Sequence, residues 1–127
     1  MASRKIRSKR TPCPIASWLD VFGDKWTLVI VRDLMGGKRR YKEFLDSPEG
    51  IPTNILADRL KRLEAQGIVS RRRYSDRSPR YEYVLTRRGA DLVPVLQAMA
   101  DWGRKHVVRP WELPDWFRAA TPDTYAP

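Results

Sequence analysis

Apolar residues recur along the first hundred positions with two different periods, and the changes of period mark out the elements. From Pro14 onward, Ile15, Trp18, Leu19 and Phe22 fall at helical spacing, with the proline suited to a first turn and Gly23 to a stop. Asp24 is a fitting cap for a second helix over residues 25–34. There Trp26, Leu28, Val29, Ile30, Val31 and Leu34 are apolar nearly all round, as expected of a helix buried against others. Gly36-Gly37 ends it, and a short third helix is predicted over residues 41–45, followed by a turn through Asp46-Ser47-Pro48-Glu49-Gly50. Residues 53–66 place Leu56, Leu60 and Leu63 at i, i+4 and i+7 on one face, with Asn54, Ala57, Asp58, Lys61 and Arg62 elsewhere, and Gly67 closes the helix.

The period then drops to two. Residues 69–74 and 80–85 alternate on either side of Ser75-Asp76-Arg77-Ser78-Pro79 and read as a β-hairpin. Tyr81, Tyr83 and Leu85 share one face of its second strand, which leaves the hairpin's basic side chains for solvent or a partner. Thr86 caps a long helix running to about residue 104, carrying Leu92, Val95, Leu96, Met99 and Trp102, and Pro94 inside it is expected to bend it. Residues 105–127 hold Pro110, Pro114, Pro122 and Pro127 with Trp111, Trp116 and Phe117. They are expected to form a tail of loops with one helical turn at most, its aromatics packing on the domain or on a second subunit.

With 127 residues and 42% hydrophobic content, the chain has material for one core, so the division expected is a basic arm (1–12), one domain (13–104) and the tail (105–127). Charge changes the picture more. The 25 Lys and Arg against 15 Asp and Glu leave +10, and three short segments hold more than the whole of that excess. They are the arm, with Arg4, Lys5, Arg7, Lys9 and Arg10; residues 38–42, with Lys38, Arg39, Arg40 and Lys42; and residues 71–80, with five arginines against Asp76. Charge gathered in this way suits phosphate contacts better than a solvating coat does.

Several function classes drop out. The longest aliphatic run, residues 28–31, is far too short to span a bilayer, and the basic N-terminus leads into Thr11-Pro12-Cys13-Pro14 instead of an apolar signal core, so a cytoplasmic protein without a membrane partner is expected. One cysteine and one histidine, Cys13 and His106, exclude an intrachain disulfide and a zinc site of several Cys and His ligands; no metal or cofactor is expected. No nucleophile–base set and no Gly-rich phosphate loop is visible, which argues against an enzyme.

The element order, helix, helix, short helix, turn, polar-faced helix, basic hairpin, long helix, is that of an α+β, mainly helical winged helix-turn-helix. In that fold a short helix braces a second helix in the DNA major groove while a basic hairpin reaches the adjoining backbone. The residues carry a resemblance as well. Cys13-Pro14-Ile15 leads through Gly23-Asp24-Lys25-Trp26-Thr27 to Ile30. After it come Arg40-Tyr41-Lys42-Glu43-Phe44, the run from Leu56 through Ala57-Asp58-Arg59-Leu60-Lys61-Arg62-Leu63 to Glu64, then Gly67-Ile68-Val69, Tyr81-Glu82-Tyr83-Val84-Leu85-Thr86, Gly89 and Ala100-Asp101-Trp102-Gly103. Over residues 13–104 this sequence resembles the HxlR family of bacterial transcriptional regulators. The resemblance implies a homodimer on double-stranded DNA, paired through first and last helices (Ile15, Trp18, Leu19, Leu92, Leu96, Met99 and Trp102), with one recognition helix per half-site. It leaves room for a small-molecule effector. Pro52 stands where the family usually has Ser, so Thr53 is expected to take over the helix cap, and Tyr41 stands where Phe is commoner.

Within the polar-faced helix, about 20 Å long and so able to lie in a major groove, Asn54 can make bidentate contacts to adenine, Thr53 can reach a base or phosphate, and Arg59 can pair with guanine or phosphate. Thr53 as a plain cap, and Arg59 in an internal salt bridge with Asp58, Glu64 or a wing carboxylate, are the structural alternatives. Asp58 shares the helix's polar face, and Lys61 and Arg62 are phosphate candidates. Arg77 and Arg80 are the wing contacts, and Lys38, Arg39 and Arg40 are placed to hold the backbone before the bracing helix. The resemblance makes Cys13 a candidate redox sensor, against the alternative of a small packing residue. A sequence-neutral nucleic-acid module, RNA-binding or architectural, is the competing function; basic clusters alone would serve it, whereas a mixed-sign recognition face favours sequence reading.

Overall fold

A computed structural model describes residues 10–75, 80–107 and 112–126. Among these the order is α1 (Pro14–Phe22), α2 (Thr27–Met35), α3 (Tyr41–Leu45), α4 (Thr53–Ala65), β1 (Val69–Ser75), β2 (Arg80–Leu85), α5 (Arg87–Ala90), α6 (Val93–His106), α7 (Asp115–Ala119) and α8 (Pro122–Tyr125). The leucine stripe of α4 does what its spacing demands: Leu56, Leu60 and Leu63 are buried, packed in one core with Ile30 and Val31 of α2, Phe44 of α3, Val69, Leu85 and Val93. Gly67, at φ +74°, turns the chain out of α4 in the left-handed region that glycine tolerates. Asp24 is not itself the N-cap, which falls at Trp26 with the helix beginning at Thr27 instead of Lys25, but its carboxylate still serves that end, accepting the N–H groups of Trp26 (2.8 Å) and Thr27 (3.0 Å).

β1 and β2 pair antiparallel in the register Val69↔Leu85, Arg71↔Tyr83, Arg73↔Tyr81, with an irregularity between Arg73 and Ser75. Directly opposed residues share a face, so Arg71 and Arg73 lie beside the tyrosines and not, as the strand alternation alone suggests, away from them. The segment before α3 adds a partial third strand: Tyr83 N–H donates to the Arg39 carbonyl at 2.8 Å, and Arg40 bridges Glu82.

Two expectations need correcting. The long helix after Thr86 is two helices. Thr86 Oγ accepts from Gly89 N–H (3.1 Å) to cap α5, the chain breaks at Asp91–Leu92, and Pro94 falls in the first turn of α6, where its missing N–H costs nothing and it bends nothing. Gly89 is required there, because a Cβ would stand 2.1 Å from the Ile68 carbonyl oxygen. The tail is also more ordered than loops with one turn. Phe117 and Ala120 are buried in the core, Gln97 Nε2 donates to the carbonyls of Phe117 (2.9 Å) and Ala120 (2.8 Å), and Tyr125 O–H donates to the Met35 carbonyl (2.9 Å). The aromatic content of the tail supplies the apolar area that holds it down; Trp111 lies outside the described residues.

Candidate nucleic-acid interface

Removing Leu56, Leu60 and Leu63 from view leaves Thr53, Asn54, Ala57, Asp58, Lys61 and Arg62 as the outer face of α4, all exposed. Pro52, extended at φ −64° and ψ 146°, holds the N-cap position, and its carbonyl accepts the first helical bond from Leu56 N–H at 3.0 Å. The cap expected of Thr53 is therefore absent. Thr53 is the first helical residue, and its carbonyl instead accepts from the Tyr41 hydroxyl at 2.6 Å. That bond fixes α3 against the start of α4, so Tyr41 contributes a brace that a phenylalanine could not form.

Ion pairs then tie α4 to its surroundings. Arg59, 17% exposed, reaches Asp24 Oδ1 at 3.2 Å and also pairs with Asp58, which holds Arg62 at 3.4 Å. Of the two readings of Arg59, the internal salt bridge is the one the geometry displays, with a partner 35 residues away that the sequence did not point to. Burial pushes the Asp24 carboxyl up, yet hydrogen bonds from the Thr27 hydroxyl, the Trp26 N–H, Arg59 and the Thr27 N–H outweigh it and hold the pKa down at about 2. The wing is attached likewise: Arg71 reaches Glu64 of α4 at 3.3 Å and lies 4.2 Å from the Tyr81 ring centroid, while Glu82 holds Arg72 (3.4 Å) and Arg40 (3.5 Å). Arg40 also stacks on Tyr74 at 4.1 Å. Glu43 Oε1 accepts both the Arg39 and Arg40 N–H groups at 2.8 Å, bonds that lower its pKa and secure the first turn of α3.

The basic residues thus divide. Lys38 donates to Ser47 Oγ (2.9 Å), and Arg40, Arg59, Arg62, Arg71 and Arg72 have carboxylate partners. Arg39, Lys42, Lys61, Arg73 and Arg80 are exposed and meet no carboxylate among the described residues. Lys42 and Arg73 were not among the sequence candidates; strand register, which places Arg73 opposite Tyr81, is the signal that could have found Arg73. Arg77 and residues 1–9 of the arm lie outside the described residues.

Away from this surface, Cys13 is exposed at the N-cap of α1. Ile15 (73% exposed), Leu19 (51%), Met99 (50%) and Trp102 (62%) form large uncovered apolar residues on α1 and α6, whereas Leu92 and Leu96 are buried in the protomer's own core and Trp18 is half-buried with its ring 5.0 Å from that of Phe22. Among the described residues no group of three His, Cys, Asp or Glu side chains could hold a metal ion, and no helix is long and apolar enough to cross a membrane.

Three short helices with a buried leucine stripe, a braced polar-faced helix and a two-stranded wing make the winged helix-turn-helix. The sequence profile described as HxlR-like helix-turn-helix matches residues 21–110. The chain belongs to this family. It is therefore a transcriptional regulator of the helix-turn-helix type. This HxlR-like regulator is 42% identical over 94 residues to the HTH-type transcriptional regulator sll1512 of Synechocystis sp., covering 71% of this chain and 70% of that one. Its fold is similar to the crystal structure of PA1607, a putative transcription factor (TM-score 0.72, 39% identity, 84% of this chain and 73% of that one). It is also similar to the redox regulator HypR in its oxidized form (TM-score 0.69, 36% identity, 76% and 100%).

Proposed function

We propose that this HxlR-like regulator binds duplex DNA sequence-specifically as a homodimer, each protomer laying α4 in the major groove of one half-site. The observation that carries the reading is the outer face of α4. Its leucines and Arg59 are engaged inward, and what remains is a short mixed set in which Asn54 is suited to adenine and Lys61 to phosphate. A sequence-neutral binder would have no use for a brace such as Tyr41–Thr53 that fixes the angle of this helix. Arg39, Lys42, Arg73 and Arg80 are assigned to the backbone, and so, on the sequence alone, is Arg77; Arg62, Lys38 and Arg40 act through their partners, and Asp58 and Arg59 hold the helix. Exposed Ile15, Leu19, Met99 and Trp102 support pairing of α1 and α6 with a second copy. Exposure of Cys13 beside that surface, together with the similarity to a redox regulator, supports a thiol switch in which two Cys13 thiols lose two electrons and two protons to an oxidant and form an intersubunit disulfide.

Selection from a random duplex pool at near-physiological salt tests the reading. A two-fold motif with half-sites one helical turn or a multiple apart is expected. Asn54→Ala should relax one base pair of that motif, whereas Arg73→Ala should weaken all sequences alike and shallow the salt slope by about one. Repeating the binding after diamide treatment, in wild type and Cys13→Ser, reads the switch. Tight binding without enrichment refutes sequence reading.

A further inference from the structure

A cavity of about 500 Å³ lies between α2, α6, the segment 113–117 and the turn joining α3 to α4. Its volume falls in the range of small-molecule sites, roughly 300–1,000 Å³. One part of the wall is apolar, formed by Leu28 and Val29 of α2, Leu96 and Ala100 of α6, and Trp116 and Phe117 of the tail. The other end is charged but internally satisfied. Arg32 donates from Nη1 to Glu49 Oε2 (2.7 Å) and from Nη2 to Glu49 Oε1 (2.8 Å) and Asp33 Oδ1 (2.8 Å); the other Asp33 oxygen accepts from the buried Ser47 hydroxyl, to which Lys38 also donates. Two cations meet two carboxylates, so a charged ligand finds no opposite charge left over, while an uncharged ring system finds apolar walls and an indole to stack on.

The occupant is a small molecule and not a second copy of the chain. Of the exposed apolar residues assigned to pairing, Ile15, Leu19 and Trp102 do not line the cavity, and Met99 alone belongs to both. The cavity opens to the surface, and its wall includes the core residues Leu96 and Phe117, apolar area that a bound molecule would cover. The wall includes Pro48 and Glu49, only a few residues before Thr53, so an occupant bears directly on the turn that sets the angle of α4. We propose that this cavity binds an uncharged aromatic small molecule, and that the Arg32–Glu49 pair transmits its presence to the α3–α4 turn. Any consequence for DNA rests on the reading of α4 given above; the binding itself and the response of the turn do not.

The test titrates the full chain with N-phenyl-1-naphthylamine, an uncharged aromatic amine whose fluorescence rises in apolar sites. Saturable binding of one molecule per chain is expected. Ala100→Phe, which fills the cavity, should weaken it about tenfold or more. Trp116→Ala, at a half-exposed position that leaves the core intact, should also weaken it with an unchanged circular dichroism spectrum. Hydrogen exchange should slow in residues 46–56 when the probe binds, and Arg32→Gln should abolish that response while the probe still binds. Non-saturable binding, or binding indifferent to both wall variants, overturns the site. A wall variant, Ala100→Phe or Trp116→Ala, that alters oligomeric state but not probe binding assigns the cavity to a second copy and overturns it too. Unchanged exchange in residues 46–56 overturns the transmission. A protein that passes these tests yet selects no operator refutes the DNA reading and leaves the cavity assignment standing.

Discussion

Replacing Asp24 separates two contributions that meet in one carboxylate. It accepts the N–H groups of Trp26 and Thr27 at the start of α2, and it pairs with Arg59 of α4 across 35 positions of sequence. Loss of a capping side chain costs about 1 kcal/mol, and loss of a partly exposed ion pair up to about 1 kcal/mol more, with Arg59 left to Asp58 alone. Asp24→Ala should therefore lower the unfolding free energy by about 2 kcal/mol at pH 7. Asp24→Asn keeps a cap acceptor and loses the charge, so it should cost about half as much. Because the folded carboxyl sits at about 2, below its ordinary value near 3.8, its charge contributes stability that is complete above about pH 4 and is lost as the pH falls towards 2. After allowance for solvent screening at this half-exposed site, that contribution is about 1–2 kcal/mol. Urea denaturation followed by tryptophan fluorescence, at one protein concentration and at pH values from 7 down to 3, reads both effects. Equal losses for the alanine and asparagine variants would refute the capping argument. A gap between wild type and Asp24→Asn that stays constant from pH 5 to pH 3 would refute the electrostatic one.

Two further outcomes follow from burial. Phe117 is 6% exposed in the shared core, so Phe117→Ala should cost about 3–4 kcal/mol in the same denaturation experiment. A loss under about 1 kcal/mol would mean that the tail is not part of the core. Trp102, 62% exposed, contributes nothing to the protomer's core, so Trp102→Glu should leave the circular dichroism spectrum unchanged while raising the dimer dissociation constant at least about tenfold in sedimentation equilibrium. An unaltered association constant would remove α6 from the proposed interface.

Local periodicity made α1 to α4 and the hairpin legible, since each buries one face against a single core and the spacing of Leu56, Leu60 and Leu63 leaves one choice of face. The division of α5 from α6 was not, because a proline within an apolar stripe reads equally as a bend or as the first turn of a new helix, and only the packing of Gly89 on Ile68 decides. The candidate site was legible as a set of positions but not as a set of free charges. Asp24 and Glu82 are remote in sequence from Arg59 and Arg40, and pairings over such distances leave no local pattern. The tail's role hung on where Phe117 lands, which no spacing rule conveys.

Glu82 holds two arginines, Arg40 and Arg72, at once. A regulator must release non-target sequence as readily as it holds its target, and a surface with every cation free would cling to any duplex. On the proposed duplex-binding reading, a single carboxylate that occupies two guanidinium groups would therefore act as a governor on residence time. Neutralising it would produce a protein that binds more tightly and searches more slowly, a gain in affinity that a screen for stronger binders would reward and a cell would not.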